Sequence, residues 1–302
     1  MTETARLGTL TVNRVGYGAM QLDDNVSTDD AVAVLHRAIE LGINHLDTAS
    51  FYAGGQVNRR IKRALAPYRD DLVLVSKVGA AHTTGGPIPL RAAQKPAELR
   101  TAVQEDLDQL GLDCIPVVNL RRLDLGPGVT AEGDQIVSLD DQLAEMITLR
   151  DEGKIGAIGL SAIGIDALRA ALPAGIVCVQ NAYSVLDRSQ EETLALCAEE
   201  GIAWVPFFPL GSAFPGFPNV ADNPVVRSVA HGIDATPAQV GLAWLLTHSP
   251  NTLLIPGTRS IAHLEQNVAA GDLALSEDAM AQLDPVGSRE AHHHGIGAFL
   301  QD

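Results

Sequence analysis

The stretch Leu46-Asp47-Thr48-Ala49-Ser50-Phe51-Tyr52, read together with Ser76-Lys77, decides the fold. A short apolar run over 43–46 reads as a buried strand that ends at Asp47, and a second over 72–75 reads as a strand that ends at Lys77. Residues 57–66 between them have helical character. The unit is strand, loop, helix, strand, with a carboxylate, a phenol and an amine just beyond the strand ends. In parallel α/β proteins, chemistry is done along that edge. The three groups also make sense together. A free phenol titrates at a pKa of about 10 and a free lysine at about 10.4. An ammonium held near a phenol favours the phenolate by charge, and a carboxylate keeps that ammonium charged and in place. Such a phenol can give a proton to a carbonyl oxygen or take one from an alcohol.

Outward from this unit the alternation repeats. Strands are read at 15–19, 114–120, 155–160, 176–180, 202–206 and 252–255, besides the two above. Helices are read at 28–41, 95–110, 139–152, 165–172, 189–200, 223–231, 236–247, 261–270 and 276–283. Thr28-Asp29-Asp30 caps the first helix and Gly42 stops it; Pro96 starts the helix that Gly111 ends. Residues 7–12 alternate apolar and polar side chains, which predicts a short hairpin ahead of the first strand. Long loops at 82–89, 121–137 and 207–222 fall at the active edge, the first of them placed to shape a substrate pocket. Eight strand–helix alternations, without a break in composition, a linker or a low-complexity tract, predict one domain over 1–302. Its fold class is α/β: a single (β/α)8 TIM barrel with an N-terminal β-hairpin and long loops at the C-terminal face.

A chain of 302 residues with 46% hydrophobic content suits one large barrel whose core needs no disulfides. The net charge of −16 argues against nucleic acid as a partner, because phosphate binding needs clustered Lys and Arg. Cys114, Cys178 and Cys197 are odd in number, lack C-x-x-C spacing, and read as reduced core residues of a cytoplasmic protein. No apolar run approaches a membrane span, and residues 1–10 lack a signal-peptide pattern. Gly16 and Gly18 are no dinucleotide fingerprint, since the third glycine is missing; they predict close approach of backbone to a ligand. His292-His293-His294 tempts one towards a metal, but adjacent histidines point apart and no Cys or carboxylate cluster accompanies them. No metal is expected, and the tail reads as folding over the barrel mouth. Trp204 reads as strand core, and Phe214 and Phe217 as lining for the substrate pocket or the cofactor loop.

Six pieces in order, covering nearly the whole chain, resemble the aldo-keto reductase family. They are Asp47-Thr48-Ala49 with Tyr52, Lys77 at its strand end, Gly159-Leu160-Ser161, Gln180-Asn181, Pro209-Leu210-Gly211, and Ile255-Pro256-Gly257-Thr258-Arg259 with Asn267. The resemblance implies that the hairpin plugs the barrel bottom and that Tyr52 donates a proton while Lys77 tunes it and Asp47 positions Lys77. It implies NADP(H) as cofactor, since no side chain supplies a hydride. Gly18, Ala19 and Met20 are then expected beside the nicotinamide, and Ser161 and Gln180 on its carboxamide. Phe207 is expected to stack on its ring. Pro209, Leu210, Gly211 and Ser212 would hold the pyrophosphate, and Gly257, Thr258 and Arg259 the extra phosphate at a helix N-terminus. His263 would reach that phosphate, and Gln266 and Asn267 the adenine. The expected partner is a small carbonyl substrate, for a chain acting as a monomer or weak homo-oligomer.

The sequence departs from the family pattern in three places. Arg121 stands where the family usually has histidine. Arginine cannot shuttle a proton near neutral pH, but it can stabilise negative charge growing on a carbonyl oxygen. It can also read an anionic substrate group, or only pair with a carboxylate. Ala162 follows Ser161 where the family often has Asn, and Gly257 replaces a lysine. The segments Val117-Val118-Asn119-Leu120-Arg121, Val177-Cys178-Val179-Gln180-Asn181 and 205–211 look most like a bacterial branch that includes pyridoxal reductases, which makes pyridoxal the leading specific substrate. Two rivals stand beside this reading: a cofactor-bound regulatory or binding subunit with little turnover, and a barrel lyase using Lys77 as a Schiff base.

Overall fold

At the start of the chain, Thr4–Leu7 (β1) and Leu10–Asn13 (β2) pair antiparallel around Gly8. A φ of +62 suits that glycine, and a Cβ there would lie 2.8 Å from Val177 Cγ1. The computed structural model describes residues 3–84, 89–125, 129–211 and 218–287. After the hairpin, strands and helices alternate: Tyr17–Gly18 (β3), Thr28–Glu40 (α1), His45–Asp47 (β4), Gln56–Leu65 (α2) and Val73–Val78 (β5). An antiparallel pair follows, Ala80–His82 (β6) with Leu90–Ala92 (β7). The alternation resumes with Pro96–Leu110 (α3), Ile115–Arg121 (β8), Leu139–Asp151 (α4), Ile155–Ser161 (β9), Ile165–Ala171 (α5) and Ile176–Gln180 (β10). It ends with Glu191–Glu199 (α6), Ala203–Trp204 (β11), Pro224–Gly232 (α7), Pro237–His248 (α8), Ile261–Ala269 (α9) and Glu277–Leu283 (α10).

Seven strands form one parallel sheet in the order β3-β4-β5-β8-β9-β10-β11. The segment around Leu253 closes it. Leu253 N donates to Trp204 O at 2.8 Å, Leu254 N to Arg14 O at 2.8 Å, and Gly16 N to Leu254 O at 2.8 Å. One short segment thus bonds to both free edges, and the expected (β/α)8 barrel is the result. Buried Arg14 reinforces the seam, since its Nη2 donates to Leu246 O at 2.7 Å and Ser249 O at 2.9 Å.

Strand alternation sorts the core into two shells. In β5, Val73 and Val75 point into the lumen with Val117, Cys178, Val205 and Leu253, while Leu74 and Val78 meet the helices. Leu7 and Val12 of the hairpin belong to the lumen cluster, so the hairpin plugs the barrel floor. The same alternation sends Lys77 inward and its neighbour Ser76 outward to α3.

Several expectations need correction. Ser27, not Thr28, caps α1, its hydroxyl accepting from Asp30 N at 3.1 Å. The first strand is shorter than expected, because Ala19 already enters a 3-10 turn. The ends of the 82–89 loop pair into the β6–β7 hairpin. Cys114 is exposed because it lies in the turn ahead of β8, whereas Cys178 and Cys197 are buried; all three are free thiols. Trp204 is strand core, as expected. Among the described residues no helix is long and apolar enough to cross a membrane.

Candidate active site

Lys77, next to last in β5 rather than at its end, is only 5% exposed, and Asp47, one strand over, is 3% exposed. The ammonium donates to Asp47 Oδ1 and, at 3.0 Å, to the carbonyl of Thr48. Its Nζ lies 5.0 Å from the centre of the Tyr52 ring. Burial disfavours the ammonium, but the Asp47 carboxylate and then Tyr52 outweigh it and hold Lys77 above the ordinary lysine range. Tyr52 is half-buried, carried by the loop after β4 and packed edge-on against Phe51. The three sequence-predicted residues therefore meet at the C-terminal end of the barrel.

The second Asp47 oxygen accepts from Gln180 Nε2 at 2.6 Å, across the barrel mouth. That bond turns Gln180 Oε1 away, and this oxygen, buried, has no partner. Ser161 Oγ and Asn119 Nδ2 are likewise buried without partners. Ser161 is in register with Gln180 on one side and Arg121 on the other, and Asn119 sits beside Lys77. A buried polar atom left unpaired costs about 1–3 kcal/mol. Such atoms gathered around one strand-end layer fit a ligand that brings its own polar groups.

Arg121 is half-buried with its guanidinium carbon 5.6 Å from the Phe207 ring centre. Burial holds its pKa below the ordinary guanidinium range, against a smaller upward pull from Tyr52. No carboxylate pairs with it among the described residues, so the alternative in which Arg121 only pairs with a carboxylate finds no support there.

A cleft of ≈ 290 Å³ opens beside this cluster. Gly18, Met20, Asp47, Tyr52, Lys77, Phe207, Pro209, Leu210, Gly211 and Gly257 line it, as do Gln21, Phe208, Ile255 and Pro256. A Cβ on Gly18 would lie 2.5 Å from Ile255 O, and one on Gly257 would lie 2.8 Å from Gly18 O. These two glycines let the chain segments close on each other at the cleft wall. Gly211 has φ of +88, and a Cβ there would meet Pro218 O at 2.1 Å, so the 207–211 turn also needs glycine. Ala19 is different: its side chain packs into the helix layer with Tyr17 and Leu22.

Beyond Gly257 the chain passes buried Thr258 and exposed Arg259 into the N-terminus of α9, capped by Ser260. His263 is exposed, Gln266 half-buried and Asn267 buried along the first turns. Ser212, Phe214, Phe217 and His292 to His294 lie outside the described residues, and among the described residues no cluster suits a metal. A larger cavity of ≈ 390 Å³ lies between α3, the β6–β7 hairpin and the 50–54 loop. It takes in His82, yet has neither Lys77 nor Tyr52; both line the smaller cleft. Sequence reasoning misses Gln21 and Phe208 as cleft residues. The tandem Phe207-Phe208 ahead of Pro209 is the signal that pointed there; Phe208 holds a φ of +56, rare for an aromatic.

The aldo/keto reductase family model matches residues 14–287. Pyridoxine 4-dehydrogenase of Escherichia coli is 43% identical over 301 residues, covering 96% of this chain and 99% of that protein. An uncharacterized oxidoreductase of Schizosaccharomyces pombe is 33% identical over 296 residues, covering 95% of this chain and 90% of that protein. Among solved structures, an aldo/keto reductase from Klebsiella pneumoniae in complex with NADP and acetate superposes with a TM-score of 0.79 at 26% identity, covering 96% of this chain and 98% of that one. A thermostable aldo-keto reductase in complex with the inhibitor epalrestat gives 0.79 at 26%, covering 95% of this chain and 100% of that one. A closed parallel barrel with a lysine–carboxylate–phenol cluster at its mouth, matched by that family model over almost its whole length, places this chain in the aldo/keto reductase family.

Proposed function

We propose that this chain reduces an aldehyde or ketone to the alcohol with NADPH, reversibly, and that pyridoxal is its specific substrate. One observation carries the reading: buried, charged Lys77 held by Asp47 against Tyr52, at the edge of a cleft whose neighbouring polar atoms lack partners. The cofactor assignment draws on the relatives with NADP or NADPH bound. The substrate assignment draws on the pyridoxine 4-dehydrogenase likeness.

The residues present fit NADPH, which when bound supplies the hydride. Gln180 Oε1 offers an acceptor and Ser161 Oγ a hydroxyl for a carboxamide. Phe207 offers a ring face. Pro209, Leu210 and Gly211, with Ser212 next in sequence, form the turn for the pyrophosphate. Thr258, Arg259 and His263 suit a phosphate at the start of α9, with Gln266 and Asn267 for the adenine.

Within the protein, Tyr52 delivers a proton to the carbonyl oxygen. The Lys77 ammonium balances the phenolate left behind, and Asp47 keeps that ammonium in place. Arg121, paired with no described carboxylate, donates to the carbonyl oxygen or to an anionic oxygen beside it, such as the phenolate oxygen on the ring carbon next to the aldehyde of pyridoxal.

The test is NADPH oxidation with pyridoxal and a panel of small aldehydes and ketones, with the alcohol identified. Pyridoxal is expected to show the highest kcat/KM. NADPH bound with no carbonyl turned over would replace this reading with that of a cofactor-bound binding subunit.

A further inference from the structure

On the outer side of the sheet, behind Lys77, a carboxylate is enclosed with no ion-pair partner among the described residues. Asp106 of α3 is 0% exposed. Its Oδ2 accepts from Ser76 Oγ at 2.6 Å, and its Oδ1 accepts from Asn58 Nδ2 at 2.7 Å. Asn58 Oδ1 accepts in turn from Thr48 Oγ1 at 2.7 Å, and its amide also reaches Gln109 Oε1 at 3.0 Å. Thr48, Asn58 and Ser76 are all 0% exposed.

The two ends of this network are chain neighbours of the reacting cluster. Ser76 precedes Lys77, and Thr48 follows Asp47. The Thr48 carbonyl is itself an acceptor for the Lys77 ammonium. One carboxylate therefore holds, directly and through Asn58, the residue before Lys77 and the residue after Asp47. Packing alone does not call for it. Burial pushes the Asp106 carboxyl up to about 7 against the pull of Ser76 and Asn58, and apolar side chains would join α3 to the sheet without that cost.

We propose that Asp106, acting through Ser76 on one side and Asn58–Thr48 on the other, is a positioning residue for the Lys77 ammonium. The proposal rests on the reading of Tyr52 and Lys77 as the proton-delivering pair. It makes the two hydroxyls, rather than the volume they fill, the element that matters.

The experiment compares Ser76→Ala/Thr48→Val, which removes both hydroxyls at nearly constant size, with Ser76→Thr/Thr48→Ser, which keeps both. Folding is checked by circular dichroism and thermal melting, and NADPH affinity by quenching of protein fluorescence. The first variant is expected to lose about tenfold or more in kcat, the scale on which small misplacements act, with KM and the NADPH Kd within about threefold. The second is expected to keep kcat within about threefold of wild type. A folded first variant with wild-type kcat overturns the proposal, whatever its melting temperature. So does an equal loss in the hydroxyl-keeping variant, or a loss of kcat matched by a weaker Kd. Should the double variant not fold, the single variants Ser76→Ala and Thr48→Val carry the test; each is expected to lower kcat severalfold, and wild-type kcat in both overturns it. Tyr52→Phe, assayed alongside, separates the two levels. Wild-type turnover there refutes the proton-delivery reading itself, while lost turnover upholds that reading and lets the hydroxyl variants decide the role of Asp106.

Discussion

Gln180 donates its amide across the barrel mouth to Asp47, Nε2 to Oδ2 at 2.6 Å. A carboxylate accepts only, so this bond leaves Oε1 as the unpartnered end of the Gln180 amide. Asp47 thus orders two things at once, the ammonium on one oxygen and the acceptor Oε1 through the other.

Gln180→Glu places a second carboxylate against Asp47. Two carboxylates sharing one site hold a proton between them or repel. Steady-state kinetics are expected to show kcat lowered about tenfold or more at neutral pH, with the deficit shrinking towards acid pH as the pair takes up a proton. A variant as active as wild type at all pH values would detach Gln180 from the site.

Arg121 has a cation that no described carboxylate neutralises, close to both Phe207 and Tyr52. Arg121→Ala is expected to lower kcat by roughly 10- to 100-fold while the NADPH Kd stays within about threefold. Unchanged turnover would remove Arg121 from the mechanism.

His45 is a separate, purely structural reporter. It is 2% exposed in the lumen, pressed on Gly16 so closely that a Cβ there would lie 2.2 Å from its ring. Burial lowers its pKa to about 4. An unfolded imidazole takes its proton near pH 6.5, as model peptides do. Between about pH 6.5 and 4 the unfolded state binds the extra proton, so the folded state loses stability as pH falls through that window. The contribution is up to roughly 3 kcal/mol. Thermal melts of His45→Gln are expected to fall less steeply than wild type from pH 7 to 4.5. Parallel curves would contradict the assignment.

Much of this was legible because the decisive residues end apolar runs. Asp47 terminates β4, Lys77 is next to last in β5, and the eight-fold alternation around them spells out a barrel. The β6–β7 hairpin was not legible, since strands of three residues in a Gly- and Pro-rich loop carry no period. Nor was the Asp47–Gln180 bond, which joins residues 133 apart and is set by barrel closure. Asp106 reads as one more charge on the acidic run Glu105-Asp106-Leu107-Asp108, and only packing against β5 and α2 reveals that it is enclosed. Cys114 misleads in the opposite sense: it abuts an apolar run yet lies in an exposed turn.

Arg259 follows buried Thr258 at the entry to α9. If it meets the phosphate that separates NADPH from NADH, Arg259→Ala raises the KM for NADPH by on the order of tenfold and leaves that for NADH nearly unchanged. Equal effects on both cofactors would sink that placement.

The most direct test of the account is the kcat of Tyr52→Phe with pyridoxal, with NADPH affinity measured in the same sample. Removing one hydroxyl from a ring that keeps its packing is expected to cost about 100-fold or more in kcat while NADPH still binds. Wild-type turnover in that variant would contradict the assignment of the proton to Tyr52, and with it the role given to Lys77 and Asp47.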